Sequence, residues 1–385
     1  MRKLSDISVK NKTVALRADL NVPVKEGIIL DDARIEAVIP TVKYLLTQNC
    51  KIILISHFGR PKAGTFDSEA SLRPIAIRIG EMLNHEVDFI SAIEEVKFKS
   101  TISLLENTRF LIGELENNEE LSKNLGSMAE VYVFDAFGTS HREQASTFGA
   151  IHQANVSCAG LLLEAEIEAL TKATHSNDRP LLSIVGGSKV STKLEVLKNL
   201  SQFSDHIITG GGITNTFLKA QGFNIGKSLH EESMLDEARQ LLGQSSIHLP
   251  SKVVVAPSID SLEHRICSIE SVQDHEMILD QCIDSDSLEL IANAKQIIWN
   301  GPIGVFEKDN FSEGTRDLAK AIAASSAFSL AGGGETLLAI KLFINKGDIS
   351  YCSTGGGAFL EFMEGKELPS LTALGFIKKE EKKCH

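Results

Sequence analysis

Four short runs in the first half of the chain set a cation beside a strand-like apolar segment: Arg17-Ala-Asp19-Leu-Asn21, His57-Phe-Gly-Arg60, Asn107-Thr-Arg109 and His141-Arg142. Guanidinium groups grip phosphate and carboxylate bidentately, and charge-assisted bonds are about twice as strong as neutral ones. One such arginine is ordinarily a surface ion pair. Repetition at strand ends in one half of a chain points instead to a small, highly charged anion. The plain alternative for Asp19 and Asn21, just before Pro23, is turn chemistry. For Arg34, in Asp31-Asp-Ala-Arg34 at the start of a helix, it is a salt bridge to Asp31. Ser56-His57-Phe-Gly-Arg60-Pro61 is the sharpest run: a strand ends in His, turns on Gly, and Pro61 keeps Arg60 outside a helix.

The second half carries devices suited to a nucleotide. Gly186-Gly187-Ser-Lys189-Val-Ser-Thr-Lys193 reads as a strand, a glycine turn and a helix opening, with Lys189 and Lys193 on one helical face. Glycine clusters at Gly210-Gly211-Gly212, Gly332-Gly333-Gly334 and Gly355-Gly356-Gly357 let backbone N–H groups approach phosphate oxygens, and helix N-termini favour anions. Each cluster taken singly is equally a tight βα turn. Neither the Walker A loop nor the dinucleotide fingerprint is present. The loop Trp299-Asn300-Gly301-Pro302-Ile-Gly304-Val-Phe-Glu307 offers a rigid surface for a sugar and a carboxylate for its hydroxyls. Glu335, followed by Thr336, is the nearest candidate for magnesium, which prefers carboxylate plus phosphate oxygens.

These residues need elements to hold them. Apolar, β-branched runs at 14–20, 51–55, 131–137, 181–185, 206–209, 253–256, 296–299, 328–331 and 349–352 alternate with amphipathic stretches. Such runs suit parallel strands buried on both faces, so the class is α/β. Nearly every run is followed by Gly, His, Arg or Asn, where ligands bind in open parallel sheets. At 385 residues the chain exceeds one growing core, so two domains are expected. Helical spacing of Ala165, Ile167, Leu170 and Ala173, then a polar breaker at 175–180, places the boundary there. A net charge of −12 argues against nucleic acid or anionic membrane as a partner. No secretory leader and no apolar run of about 18 residues is visible. Six scattered cysteines read as reduced thiols in a cytoplasmic setting.

Taken in order, the motifs resemble the phosphoglycerate kinase family along the whole chain, in a form that looks bacterial. The likeness rests on Arg-Ala-Asp-Leu-Asn-Val-Pro (17–23), Ser-His-Phe-Gly-Arg-Pro (56–61), Leu-Glu-Asn-Thr-Arg-Phe (105–110) and Asp-Ala-Phe-Gly-Thr-Ser-His-Arg (135–142). It continues in Gly-Gly-Ser-Lys-Val-Ser-Thr-Lys (186–193), Trp-Asn-Gly-Pro-Ile-Gly-Val-Phe-Glu (299–307), Gly-Gly-Gly-Glu-Thr (332–336) and Ser-Thr-Gly-Gly-Gly-Ala (353–358). The resemblance implies two doubly wound, Rossmann-like parallel-sheet domains: 1–165 for phosphoglycerate, with the tail 366–385 folded back on it, and 181–365 for nucleotide. Residues 166–180 would be the hinge helix. It implies reversible phosphoryl transfer from 1,3-bisphosphoglycerate to ADP with Mg²⁺, giving 3-phosphoglycerate and ATP, by a cytoplasmic monomer.

The resemblance also implies site roles. His57, Arg60, Arg109 and Arg142 would grip the 3-phosphate. Arg34 would face the transferring end, with Asp19 and Asn21 on the hydroxyl and orienting Arg34. Lys193 would hold nucleotide phosphate, and Glu307 the ribose. Gly211, Gly212, Asn300 and Pro302 would shape the nucleotide site, and Gly333, Gly334, Glu335 and Thr336 would serve the phosphates and magnesium. Lys189 and Gly356 would steady the phosphoryl group in flight. Three positions depart from the family's usual pattern: Glu335 where Asp is frequent, Asp280-Gln281-Cys282 where Asp-Ile-Gly is frequent, and Glu143 where Ala is frequent. Rival readings are a two-domain NAD-dependent dehydrogenase, without its fingerprint, and a hinged binding protein for small anions.

Overall fold

The computed structural model describes residues 1–93, 99–175 and 177–376. The chain divides into two units: Met1–Glu168 with the chain from Glu367 onward, and Ala169–Lys366.

The strands of the first unit are β1 (Thr13–Ala18), β2 (Val24–Lys25), β3 (Ile28–Ile29), β4 (Lys51–Ile55), β5 (Val87–Ile90), β6 (Ile102–Leu105), β7 (Val131–Asp135) and β8 (Ser157–Ala159). Six form a sheet in the order β5-β6-β4-β1-β7-β8, with every pairing parallel. Helices α1 (Ala33–Thr47), α2 (Arg73–Leu83), α3 (Glu119–Ser127), α4 (Ala150–Gln153) and the start of α5 (Leu161–His175) belong with it. On α1, Ile35, Val38, Val42 and Leu45 recur at helical spacing and share a core with Leu16, Ile52, Leu54 and Val133 of the strands. Full burial of each such side chain stabilises by roughly 1.5–3 kcal/mol. Residues Glu168 and Ala169, where the two units divide, both lie inside α5.

The second unit has β9 (Leu181–Gly186), β10 (His206–Gly210), β11 (Ile247–His248), β12 (Lys252–Ala256), β13 (Arg265–Ser268), β14 (Met277–Gln281), β15 (Gln296–Asn300), β16 (Phe328–Ala331) and β17 (Tyr351–Cys352). Its main sheet runs β11-β10-β9-β15-β16-β17, again all parallel. The helices after the rest of α5 are α6 (Leu194–Leu200), α7 (Gly212–Ala220), α8 (Leu235–Gln244), α9 (Ser285–Asn293), α10 (Glu313–Ala324), α11 (Gly334–Phe343) and α12 (Gly357–Met363). The last helix, α13 (Pro369–Ala373), belongs to the first unit, where Ser370 N–H donates to Ser140 O at 3.0 Å. The rest of the expected tail, 377–385, lies outside the described residues.

Both main sheets are parallel, and the α/β class read from the sequence is the observed one. Two details differ. The run 253–256 belongs to a separate three-stranded antiparallel sheet, β13-β12-β14. Val253 and Val255 pack with Leu218 and Ile225, while Val254 and Ala256 pack with Leu279 and Phe311. Burial on both faces makes a strand continuously apolar whatever the direction of its neighbours. Lys189 and Lys193 also do not share a helix, because α6 begins only at Leu194. A turn intervenes, closed by Lys193 N–H to Val190 O and Thr192 Oγ1 to Lys189 O, each 2.9 Å. Among the described residues, no helix is long and apolar enough to cross a membrane.

Candidate active site

In the first unit, loops beyond β1, β4, β6 and β7 converge on a cleft of about 360 Å³ lined by Asn21, His57, Gly59, Arg60, Arg109 and Arg142. All four strands are neighbours in one parallel sheet, so their carboxyl ends open on the same side. Arg34, in the first turn of α1, stands beside Asn21: its Nη1 donates to Asn21 O at 2.9 Å and lies 3.1 Å from Asp19 Oδ2. Asp19 thus pairs with Arg34, and the Asn21 side chain accepts from Gly59 N–H at 2.9 Å.

His57 is 3% exposed, its Nδ1 lies 3.2 Å from Arg17 Nη2, and its Nε2 lies 3.2 Å from Arg142 Nη1. Burial, then the charges of Arg17, Arg109, Arg142 and Arg34, drive its pKa from 6.5 down to about 2. The ring is therefore neutral, with one acceptor nitrogen for two guanidinium neighbours. Of the two, Arg142 is on the cleft lining, and its donors not taken by the ring can face a ligand. Burial also lowers the pKa of Arg109 and of Arg142, and neighbouring arginines add to it. Arg109 Nε is buried with no hydrogen-bond partner among the described residues. An anion would supply what this cluster lacks.

Beneath the pocket lies a support whose roles sequence reasoning missed. Arg17 sits inside β1, fully buried, rather than at a strand end. Its Nε donates to Ser146 Oγ at 2.9 Å and its Nη1 donates to Ala18 O. Ser146 is in turn fixed by Glu114, which accepts from its N–H at 3.0 Å and its hydroxyl at 2.5 Å. Burial pushes the Glu114 carboxyl upward in pKa. Asn107 ties two pocket loops together, accepting from Phe58 and Arg109 N–H at 3.0 Å and donating to Phe58 O at 2.7 Å. The one available signal was polar type in an apolar run, as at Arg17.

The second unit holds a cleft of about 400 Å³ at the ends of β9, β10 and β15. Gly187, Gly211 and Gly212 form a backbone wall; Leu229, Met277, Leu279 and Val305 are apolar; Pro302, Glu307 and Glu335 complete it. The wall demands glycine. A Cβ on Gly212 would sit 2.1 Å from Ser188 O, and Gly211 has φ +64°. Gly211, Gly212, Pro302, Glu307 and Glu335 are thereby brought to one surface.

The remaining candidates border that lining without being part of it. Lys193 caps α6, and burial lowers its ammonium pKa. Its Nζ donates to Asn300 Oδ1, while Asn300 Nδ2 donates to Gly332 O at 2.7 Å. Thr336 is fully buried, accepting from Gly301 N–H at 2.7 Å. Asn300 and Thr336 thus join the loops after β15 and β16. Gly333 (φ +98°) and Gly356 (φ +51°) cap α11 and α12, and Gly334 opens α11. Lys189 is exposed on its turn. At the departures, Asp280 accepts from Gly314 N–H at 2.8 Å and Gln281 donates to Thr209 O at 3.0 Å; both lie in β14, which ends there, and Cys282 follows it. Glu143 is exposed.

Glu335 lies in the first turn of α11 and on the cleft lining. Mg²⁺ binds through one or two carboxylates plus substrate phosphates. A single carboxylate of this kind fits an ion whose other ligands are phosphate oxygens and water.

The phosphoglycerate kinase family model matches residues 4–366. A curated phosphoglycerate kinase of Vibrio campbellii is 48% identical over 379 residues, covering 97% of this chain and 98% of the relative. A solved phosphoglycerate kinase from Coxiella burnetii superposes with a TM-score of 0.92 at 44% identity, covering 97% of this chain and 98% of the other. The Pyrococcus horikoshii enzyme superposes with a TM-score of 0.81 at 35% identity over the same shares. By match, coverage and identity alike, the chain belongs to the phosphoglycerate kinase family.

Proposed function

We propose that this chain catalyses reversible phosphoryl transfer from 1,3-bisphosphoglycerate to Mg·ADP, yielding 3-phosphoglycerate and ATP. The observation that carries the reading is the gathering of Arg60, Arg109 and Arg142 around a neutral, buried His57. A cluster of like charges with an unmade Arg109 Nε bond suits a dianionic phosphate. The family assignment supports the phosphotransferase reading, and neither rival reading has comparable support.

In the forward direction a terminal oxygen of ADP forms the new P–O bond, the acyl P–O bond breaks, and the carboxylate leaves with its electron pair. Nucleophile and leaving group are both already anionic, so no proton must be moved. Catalysis then reduces to positioning and charge stabilisation. His57, Arg60, Arg109 and Arg142 anchor the distant phosphate; Arg34, oriented by Asp19 and Asn21 O, meets the reacting carboxyl phosphate. The glycine wall and apolar cleft seat the nucleotide and Glu307 meets its ribose; Lys193, whose side chain lies beside Gly187 and reaches Asn300, meets its phosphates. Lys189 and the Gly356 turn serve the phosphoryl group in transit. Magnesium bound to the nucleotide would neutralise phosphate oxygens, with Glu335 as its protein carboxylate. The working form is a cytoplasmic monomer acting on small molecules.

The test is a coupled assay of purified protein with ATP and 3-phosphoglycerate. ADP formation requiring both 3-phosphoglycerate and Mg²⁺ is expected. Absence of transfer with both substrates and magnesium present would overturn the reading.

A further inference from the structure

A carboxyl that the proposed mechanism does not use sits directly behind the cleft of the second unit. Asp280, next to last in β14, is 2% exposed. Its Oδ1 accepts from Gln281 N–H at 2.9 Å and its Oδ2 from Gly314 N–H, in the first turn of α10, at 2.8 Å. Burial above all, then the acidic Glu313 and Asp317 of α10, raises its pKa to about 7. Little room is left around it: a Cβ on Gly304 would lie 2.0 Å from Asp280 Oδ1, and one on Gly314 2.6 Å away. The contact passes on through α10 to the loop after β15. Thr315, fully buried, accepts from Ile303 N–H at 3.2 Å and from Gly304 N–H at 3.3 Å. Val305 N–H donates to Leu279 O at 2.8 Å, one residue before Asp280. Pro302, Gly304, Val305 and Glu307 of this loop line the cleft together with Leu279.

We propose that Asp280 and Thr315 are positioning residues for the nucleotide: the carboxylate fixes the first turn of α10 against β14, and the Thr315 hydroxyl on that turn fixes the loop that presents Pro302, Val305 and Glu307. The inference rests on reading this cleft as the nucleotide site. A binding surface must be held to within about 0.5 Å by groups packed behind it. Each oxygen of Asp280 faces an N–H donor, so an amide of the same size would turn its NH₂ toward one of them. The two lone pairs of one Thr315 oxygen serve two loop amides, which a valine of the same shape cannot do.

The test titrates Mg·ADP and 3-phosphoglycerate separately into the full chain by calorimetry. Asp280→Asn and Thr315→Val should each weaken Mg·ADP at least tenfold and leave 3-phosphoglycerate affinity within about twofold. Thr315→Ser, which keeps the acceptor oxygen, should recover to within about threefold of wild type. In turnover the loss should appear in KM for Mg·ADP, with kcat nearly unchanged. Amide exchange of the wild-type protein gives a reading that needs no variant: saturating Mg·ADP should slow exchange at Ile303, Gly304 and Gly314. Wild-type Mg·ADP affinity in both variants, a serine variant as weak as the valine one, equal losses for both ligands, or unchanged exchange at those amides would each overturn the proposal. Wild-type protein that binds no Mg·ADP would overturn the reading of the cleft, and the proposal with it.

Discussion

A buried histidine flanked by guanidinium groups on both ring nitrogens has a testable signature at the scale of one residue. His57 takes its proton near pH 6.5 when unfolded but only near 2 when folded. Its contribution to stability is therefore present above 6.5 and lost as pH falls below that value, because the unfolded chain then binds a proton the native state refuses. The slope for one such group is at most about 1.4 kcal/mol per pH unit. Denaturant titrations between pH 7 and 5 should show this loss in the ligand-free protein, reduced by up to about 2 kcal/mol in His57→Gln. Equal pH dependence in both would remove His57 as the source. Arg34 makes a different case. It is held by Asp19 and Asn21 O but bears on the reacting end of the substrate in the proposed mechanism. Arg34→Ala should lower kcat by about 10²–10³-fold, the size of losing one transition-state donor, with ADP affinity unchanged. Near wild-type kcat would contradict that role.

Elements decide which residues reach each cleft, and the glycine wall shows how little room they leave. Adding a methyl at Gly212 drives Cβ against Ser188 O, so the β9 loop or the start of α7 must move. Gly212→Ala should weaken ADP binding at least tenfold while calorimetry finds 3-phosphoglycerate affinity unchanged. Parallel losses for both ligands would mean that the damage is general. What was legible in the sequence follows the same logic. Strands such as Lys51–Ile55 and Leu181–Gly186 were visible because burial on both faces leaves an apolar run. Val87–Ile90 (with Asp88), Ile102–Leu105 (with Ser103), Ser157–Ala159 and Ile247–His248 were too short or too polar to stand out. Strand-end cations were legible, since ligands gather where parallel strands finish. The support beneath them was not. Arg17 meets Ser146 across 129 positions, and Asn107 meets Phe58 across 49, pairings that no local pattern encodes.

At the scale of the whole molecule, the anion cleft belongs to one unit and the glycine-walled cleft to the other. A phosphorus atom must nevertheless pass between oxygens at bonding distance, in surroundings that exclude water as a competing acceptor. We propose that a closing motion brings this about, with α5 as its mechanical element because its residues belong to both units. In the proposed mechanism each ligand alone has its contacts mainly in one unit, so alone it gives little differential binding to a closed state. Both together gain interactions that exist only when closed, and a ligand can shift an equilibrium no further than that differential. Small-angle scattering should thus show a larger fall in radius of gyration with 3-phosphoglycerate and Mg·nucleotide together than the sum of the single-ligand changes. In Arg34→Ala the excess should shrink, since the proposed mechanism assigns that guanidinium to the transferring group. An unchanged radius with both ligands bound, during measurable turnover, would rule the motion out.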